Sequence, residues 1–301
     1  MIKSILRPIV HSYRRSEFKW RYVDNLRPSI AYRLSAARPA PGEMARVADE
    51  LARNGISITS AGALGASALF EELSREVDRF EREQAATIAD ARRDADIPGK
   101  KKTFIYELLG SRPTLDPQSI FVRFAVQPAF LHIANDYFGM FTHLRFYNVW
   151  HTFTTTVEAR RSQLWHRDPE DWQILKVFVY LSDVDEGAGP FTYAPGTHPR
   201  GKVRTRPESF REQGHGAERS TDEQMAAVVP PDRWVTAVGA KGTVIFADTK
   251  GYHRGGLARD RDRIMYNCMY VSPGSKADEL FQRDRVASEM LPREQALALR
   301  I

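Results

Sequence analysis

The sequence predicts a mainly β fold with flanking helices: a double-stranded β-helix, the jelly-roll or cupin-like barrel, preceded by an N-terminal helical segment. Three observations predict it. From about Thr142 to Pro273, short β-rich runs alternate with Gly, Pro and Asp, the pattern of an antiparallel barrel. Ahead of them, apolar residues recur three and four apart, the period of a buried helix face. Lastly, His166, Asp168 and His253 are residue types suited to one metal ion, and 87 residues separate the two histidines. Only a fold that brings a distant strand alongside the first unites them.

Residues 1–40 form an N-terminal extension that is basic and aromatic, with Arg38-Pro39-Ala40-Pro41-Gly42 as a linker or turn. The main domain is expected over 41–273. Its helical part, about 41–140, opens with a helix from Glu43 to Asn54 ended by Gly55, then a short strand at Ile56-Ser57-Ile58. Leu69, Leu73, Val77 and Phe80 mark the buried face of a long helix running towards Arg93. A second helix, near Pro128 to Tyr137, carries Leu131, Ile133 and Ala134 inward and stops at Gly139. The barrel, about 142–273, is interrupted by a polar stretch at about 201–232, which reads either as a lid over the site or as a solvated surface loop. The tail, 274–301, reads as one or two short helices with Leu280, Val286 and Met290 as packing residues.

Composition narrows the function classes. A chain of 301 residues can bury a full core. Its single cysteine, Cys268, allows no internal disulfide, which fits a reducing, cytoplasmic setting. No apolar run reaches the roughly 20 residues that cross a bilayer, and Arg7 and Pro8 break up the start in a way unlike a secretory signal. The net charge of +6 is spread among acidic neighbours, without the basic stripe interleaved with aromatics that a nucleic-acid surface needs. It favours a small-molecule substrate, with anionic ones preferred.

The metal motif has a physical basis. Along an extended strand, residues two apart point the same way, so His166 and Asp168 can reach one ion while Arg167 points elsewhere. Two imidazoles and a carboxylate hold Fe(II) by one face and leave positions for a co-substrate and O2. Zinc accepts the same donors with a water in the fourth place. Arg263 leads into the apolar run Ile264–Val271, from where its guanidinium fork can grip a carboxylate at two points. Arg259 and Arg261 compete for that role but sit in the charged stretch Ala258-Arg259-Asp260-Arg261-Asp262, which reads as a solvated turn. A lone His–Asp pair is more often a core contact than a metal site. His-Arg-Asp also opens the kinase catalytic loop, but Gln173 stands where that loop needs Asn, and no glycine-rich loop with its lysine strand precedes it. His198 follows a turn and shapes a loop rim, His151 is a weak candidate for lining the pocket, and His11, His132, His143 and His215 have no partner pattern.

An ordered series of segments carries a family resemblance. It runs through Trp165-His166-Arg167-Asp168, Lys176 to Val184, Gly189-Pro190-Phe191 to Ala194-Pro195-Gly196-Thr197-His198, Gly242 to Asp248, His253-Arg254-Gly255 and Asp262-Arg263-Ile264. Over roughly its second half the chain resembles the Fe(II)/2-oxoglutarate dioxygenases, in particular the phytanoyl-CoA dioxygenase-like branch. The resemblance implies Fe(II) on His166, Asp168 and His253, Arg263 on the far carboxylate of 2-oxoglutarate, and oxidation of a small-molecule C–H bond by O2 with release of succinate and CO2. Many relatives carry a hydroxyl two residues after the distal histidine; here Gly255 takes its place. Asn148 is the candidate for a second co-substrate contact, with Trp172 and Tyr180 as pocket walls. Related halogenases have a small residue at the carboxylate position, so Asp168 favours oxygenation. Two rivals are a jelly-roll metal or small-molecule binding protein and a cupin-type metal-dependent isomerase or hydrolase. Neither has a use for Arg263.

Overall fold

The helix Glu43–Asn54 stops at Gly55, whose left-handed φ of 80° closes the last turn and sends the chain directly into a strand. The computed structural model describes residues 16–35, 41–97, 103–212, 218–283 and 291–301. Nine strands follow in chain order: β1 (Ile56–Ser60), β2 (Ile105–Glu107), β3 (His143–Thr152), β4 (Leu175–Tyr180), β5 (Phe191–Tyr193), β6 (Val235–Ala237), β7 (Thr243–Asp248), β8 (His253–Arg254) and β9 (Arg263–Val271). All pairings between them are antiparallel. The large sheet has the order β1-β7-β4-β9-β3-β2 and the small one β6-β5-β8. These are the two layers of a jelly roll. β1 contains the short strand expected at Ile56-Ser57-Ile58, whereas β2 comes from the stretch read as helical.

Alternation along the central strands sorts the two faces. Leu175, Val177 and Val179 of β4, with Val244 and Phe246 of β7 and Tyr266, Cys268 and Tyr270 of β9, join the main core under the helices. Each such buried side chain contributes on the order of 1.5–3 kcal/mol. Phe130, on the helix Pro128–Phe138, meets Phe246 edge-on with ring centroids 5.3 Å apart, and Phe124 meets Tyr266 at 5.4 Å. The opposite residues, Phe178, Tyr180, Ile245, Ala247 and Met265, face inward and pack with Phe191 and Tyr193 of the small sheet.

The apolar period Leu69–Phe80 lies on the helix Ser67–Glu83, where Leu73 and Val77 are buried and Leu69 and Phe80 partly so. Gln84, at φ −102° and ψ 10°, separates it from a second helix, Ala85–Arg93. The tail differs from expectation. Residues 275–283 are not helical, and Leu280 packs beside Phe146 and Ile174. Val286 and Met290 lie outside the described residues, as do Arg38, Pro39 and Ala40. The one helix described in the tail is Arg293–Leu299, which buries Ala298 and Leu299. No helix among the described residues is long and apolar enough to cross a membrane.

Candidate metal centre

His166 and Asp168 are not on a regular strand, as the alternation argument supposed, but on an extended segment stitched to its neighbours by backbone bonds. His166 N donates to His253 O at 2.9 Å and His253 N to His166 O at 3.1 Å, while Asp168 N donates to Thr249 O at 3.0 Å. β8 carries His253 and pairs with β5 through Tyr193. The 87-residue separation is closed by this one antiparallel bridge.

Each histidine is held by its Nδ1. His166 Nδ1 lies 2.9 Å from Leu164 O, and His253 Nδ1 lies 3.0 Å from Gly251 O. A carbonyl only accepts, so Nδ1 carries the proton and Nε2 keeps its lone pair. Burial, reinforced by the neighbouring His253, pulls the His166 pKa well below the ordinary histidine value. Burial also draws that of His253 down to about 4. Both rings are therefore neutral, as ligands must be. Burial of Asp168 is outweighed by Lys176, His253 and His166, which hold its carboxyl below the usual carboxylate range.

One donor atom from each of His166, Asp168 and His253 lies within 4.8 Å of the other two. Asp168 Oδ1 is 3.9 Å from His166 Nε2, and Oδ2 is 3.7 Å from His253 Nε2. These gaps fit within twice a metal–ligand bond of about 2.1 Å. Asp168 Oδ2 also lies 2.6 Å from Lys176 Nζ, a largely buried ion pair that keeps the carboxylate charged and in place. The donor set itself fits a cation: two neutral imidazoles whose Nδ1 protons are engaged and one carboxylate converge, the ligand types that hold Fe(II) by one face.

Arg263 shares the inward face with Met265, two residues on. Its Nη1 donates to Gly189 O, its Nε has no partner, and burial pulls its pKa below the ordinary arginine value. Gly189 has φ 69°, and a Cβ there would stand 2.5 Å from Ala258 N, so glycine is what permits this close crossing. No ion pair joins Arg263 to a carboxylate among the described residues. Arg261 is exposed and paired with Asp185 at 3.0 Å, and Arg259 donates to Thr155 O at 2.6 Å. Tyr180 lies on the inward face with its hydroxyl on Ala237 O at 2.5 Å.

Two expected residues are otherwise engaged. Asn148 lines up in register with Asn267 and Phe178, but its Nδ2 donates to Gly110 O at 2.7 Å and its Oδ1 accepts from Val149 N at 2.8 Å and Leu109 N at 3.3 Å. Its amide braces a turn instead of waiting for a ligand. Trp172 packs against the helical core, while Tyr180 belongs to the inward cluster. His151 bridges Glu81 and Asp262, and His198 lies 3.2 Å from Ala52 O, a loop-shaping contact. Arg167 does point elsewhere, stacked 3.9 Å from the Tyr252 ring centroid.

Sequence reasoning missed Lys176 and the anchoring of the insertion. Lys176 is the lone charge of Leu175–Tyr180, and its place four residues before inward-facing Tyr180 was the available signal. The insertion is held by Trp165 Nε1 on Asp222 Oδ1 at 2.7 Å, by Arg254 on Asp222 at 3.2 Å, and by an apolar cluster of Trp165, Phe210, Met225, Val229 and Tyr252. Trp165 and Tyr252 each precede a histidine of the triad. Arg219, also from this insertion, acts electrostatically on Asp168.

No curated protein sequence matches the chain. Among solved structures, EctD from S. alaskensis, crystallised with 2-oxoglutarate and 5-hydroxyectoine, aligns over 86% of this chain and 93% of its own at 18% identity and a TM-score of 0.51. HygX from Streptomyces hygroscopicus, with nickel and 2-oxoglutarate bound, aligns over 80% and 90% at 16% identity and a TM-score of 0.50. At these identities the likeness concerns the fold. The family described as phytanoyl-CoA dioxygenase (PhyH) matches residues 58–262, which extends the resemblance ahead of the barrel motifs to β1. The chain therefore belongs to the phytanoyl-CoA dioxygenase family, and with it to the oxidoreductases that use Fe(II), 2-oxoglutarate and O2.

Proposed function

We propose that the protein hydroxylates or otherwise oxidises a C–H bond of an anionic small molecule, with iron held by His166, Asp168 and His253 and the far carboxylate of 2-oxoglutarate held by Arg263. The observation that carries this reading is the pairing, on one interior, of a three-donor cluster with a buried guanidinium that meets no carboxylate among the described residues. A buried charge without a partner costs several kcal/mol, and a dicarboxylate co-substrate offsets that cost by supplying the missing anion in two-point geometry. Iron and 2-oxoglutarate, when bound, would activate O2, the oxidant of the C–H bond, with 2-oxoglutarate giving up two electrons as it becomes succinate and CO2. The chain's own residues orient and shield: Leu164 O and Gly251 O fix the imidazoles, Lys176 steadies Asp168, and Phe191, with its ring 5.6 Å from that of His253, keeps the wall apolar. Arg219 of the insertion, close enough to act electrostatically on Asp168, brings a guanidinium towards the site, which supports an anionic substrate. The single, buried Cys268 supports work in a reducing, cytoplasmic compartment.

The test is a succinate assay with Fe(II), 2-oxoglutarate and O2, run without and then with a panel of small carboxylates and phosphates. Slow succinate formation alone, accelerated by an anionic compound that gains an oxygen atom, is the expected result. Absence of succinate in iron-loaded protein across the panel contradicts the proposal.

A further inference from the structure

The N-terminal segment 16–35 is built the wrong way round for a protein surrounded only by water. Three of its polar residues, Arg21, Asn25 and Ser29, turn inward. Asn25 and Ser29 are buried, Asn25 Nδ2 donates to Trp20 O at 2.8 Å and to Ser272 Oγ at 3.0 Å, and its Oδ1 accepts from Gly274 N at 2.7 Å. Trp20 is 5% exposed and donates to Asp171 Oδ1 at 2.8 Å, which fastens the segment to the loop after the His-x-Asp motif. Six of its apolar residues turn outward, while Trp20 and Tyr32 stay buried. Phe18, Tyr22, Val23, Leu26, Ile30 and Leu34 account for six of the nine exposed large hydrophobics among the described residues, with Leu34 at 79%. They run along two successive helical pieces, Glu17–Asp24 and Leu26–Leu34, joined at Asn25. A contiguous exposed apolar stripe on an otherwise well-packed chain marks an interaction surface.

Charge says what kind. The first 40 residues hold nine Lys and Arg against two acidic residues, Glu17 and Asp24, while the other 261 hold 35 basic against 36 acidic. All of the chain's net positive charge thus resides in the extension that bears the stripe. Arg27 and Arg33 are exposed among the apolar residues. Exposed apolar side chains interspersed with cations, on helical pieces too short and too charged to span, are the composition of a segment lying in the headgroup layer of an anionic membrane. A protein interface of this size would call for no such concentration of one sign of charge.

We infer that this segment docks the protein on anionic phospholipid surfaces, with Leu26, Ile30 and Leu34 entering the interface and Arg27 and Arg33 meeting the headgroups. The inference stands apart from the reaction proposed above and survives its failure.

The test is flotation of the full-length protein with vesicles of phosphatidylcholine alone and of phosphatidylcholine with phosphatidylserine, alongside light scattering to follow self-association. Binding to the serine-containing vesicles only, weakened by high salt, is expected. The double variant Arg27→Gln/Arg33→Gln should weaken it on the order of thirtyfold, at about fivefold per charge. The triple variant Leu26→Ser/Ile30→Ser/Leu34→Ser should abolish it, with succinate formation and melting temperature unchanged because all three side chains are exposed. No flotation of the wild type, flotation unaltered in the triple variant, or a dimer that the triple variant dissolves would each overturn the inference, the last by making the stripe a protein interface.

Discussion

Replacing Arg263 by leucine separates what this residue costs from what it provides. Its guanidinium is buried, its Nε is unpartnered, and no carboxylate among the described residues faces it. Removing an uncompensated buried charge relieves several kcal/mol of desolvation. Against this stands the bond to Gly189 O, whose loss leaves a carbonyl short of a donor at about 1–3 kcal/mol. The expected net effect without co-substrate is a gain of roughly 1–2 kcal/mol, or a few degrees in melting temperature. With co-substrate the sign reverses. A buried two-point carboxylate contact is worth about 3–5 kcal/mol when broken, so 2-oxoglutarate binding should weaken by roughly two hundredfold to several thousandfold. The assay is thermal denaturation of the iron-loaded protein under anaerobic conditions over a range of 2-oxoglutarate concentrations, in which the wild type gains stability as the site fills. Arg263→Leu should melt higher at the start and gain nothing. Arg261→Ala, at an exposed ion pair with Asp185, should behave as wild type within about 1 kcal/mol. An Arg263→Leu protein that keeps the wild-type response to 2-oxoglutarate, or an Arg261→Ala protein that loses it, refutes the reasoning.

At Gly255 an added Cβ meets only Ser162 O, at 3.5 Å, so Gly255→Ser should fold normally and restore the hydroxyl found in many relatives. Calorimetry should show tighter 2-oxoglutarate binding by a factor of about five, a single neutral hydrogen bond; weaker binding would mean the serine points elsewhere. Asp222→Ala removes the acceptor of Trp165 Nε1 and the partner of Arg254, and limited proteolysis should then cut within 201–232 several-fold faster. Equal cutting rates would show that the apolar cluster alone holds the insertion. Burial of Asp248 pushes its pKa up to about 6, against the bonds from Tyr137 and the Lys250 and Ile174 amides. The folded state thus keeps this proton above the pH at which the unfolded chain releases it. Its stabilising effect is full below the ordinary value near 3.8 and is lost as pH rises through about 6. The wild-type minus Asp248→Asn difference in unfolding free energy should therefore fall by about 3 kcal/mol between those limits, and a difference that is flat with pH would contradict the shift.

Much of this was legible from side-chain order alone, for reasons that are local. Gly55 and Gly139 end helices because left-handed φ values of 80° and 65° suit glycine, and both ends were readable. Arg261 shares the parity of Arg263, so period two does not separate them; the charged stretch 258–262 does, since it reads as a turn, and Arg263 is buried at the start of β9 while Arg261 is exposed on Asp185. What was not legible depended on neighbours distant in sequence. Asn148 is on a suitable strand, but only the approach of Leu109 and Gly110, nearly 40 residues earlier, shows that its amide is already used. Trp172 is apolar enough for a pocket wall, and only tertiary packing places it against the helices. The same holds for the insertion. Its polar composition hides Phe210, Met225 and Val229, whose partners Trp165 and Tyr252 lie on other segments. The inverted N-terminal segment was read as basic and aromatic, but which of its faces is buried depends on Ser272 and Gly274 at the far end of the chain.

The central claim is that His166, Asp168 and His253 together hold one iron. The most direct measurement is anaerobic equilibrium dialysis of Fe(II) against the wild type and His253→Ala, with circular dichroism to establish that both are folded. Removing one imidazole leaves Asp168 Oδ2 and His166 Nε2 with an incomplete donor set. The account predicts one Fe(II) per wild-type chain and binding weakened at least a hundredfold in the variant, an estimate at the strong end of ligand-sphere substitutions. A folded His253→Ala protein that takes up one Fe(II) with wild-type affinity would contradict it.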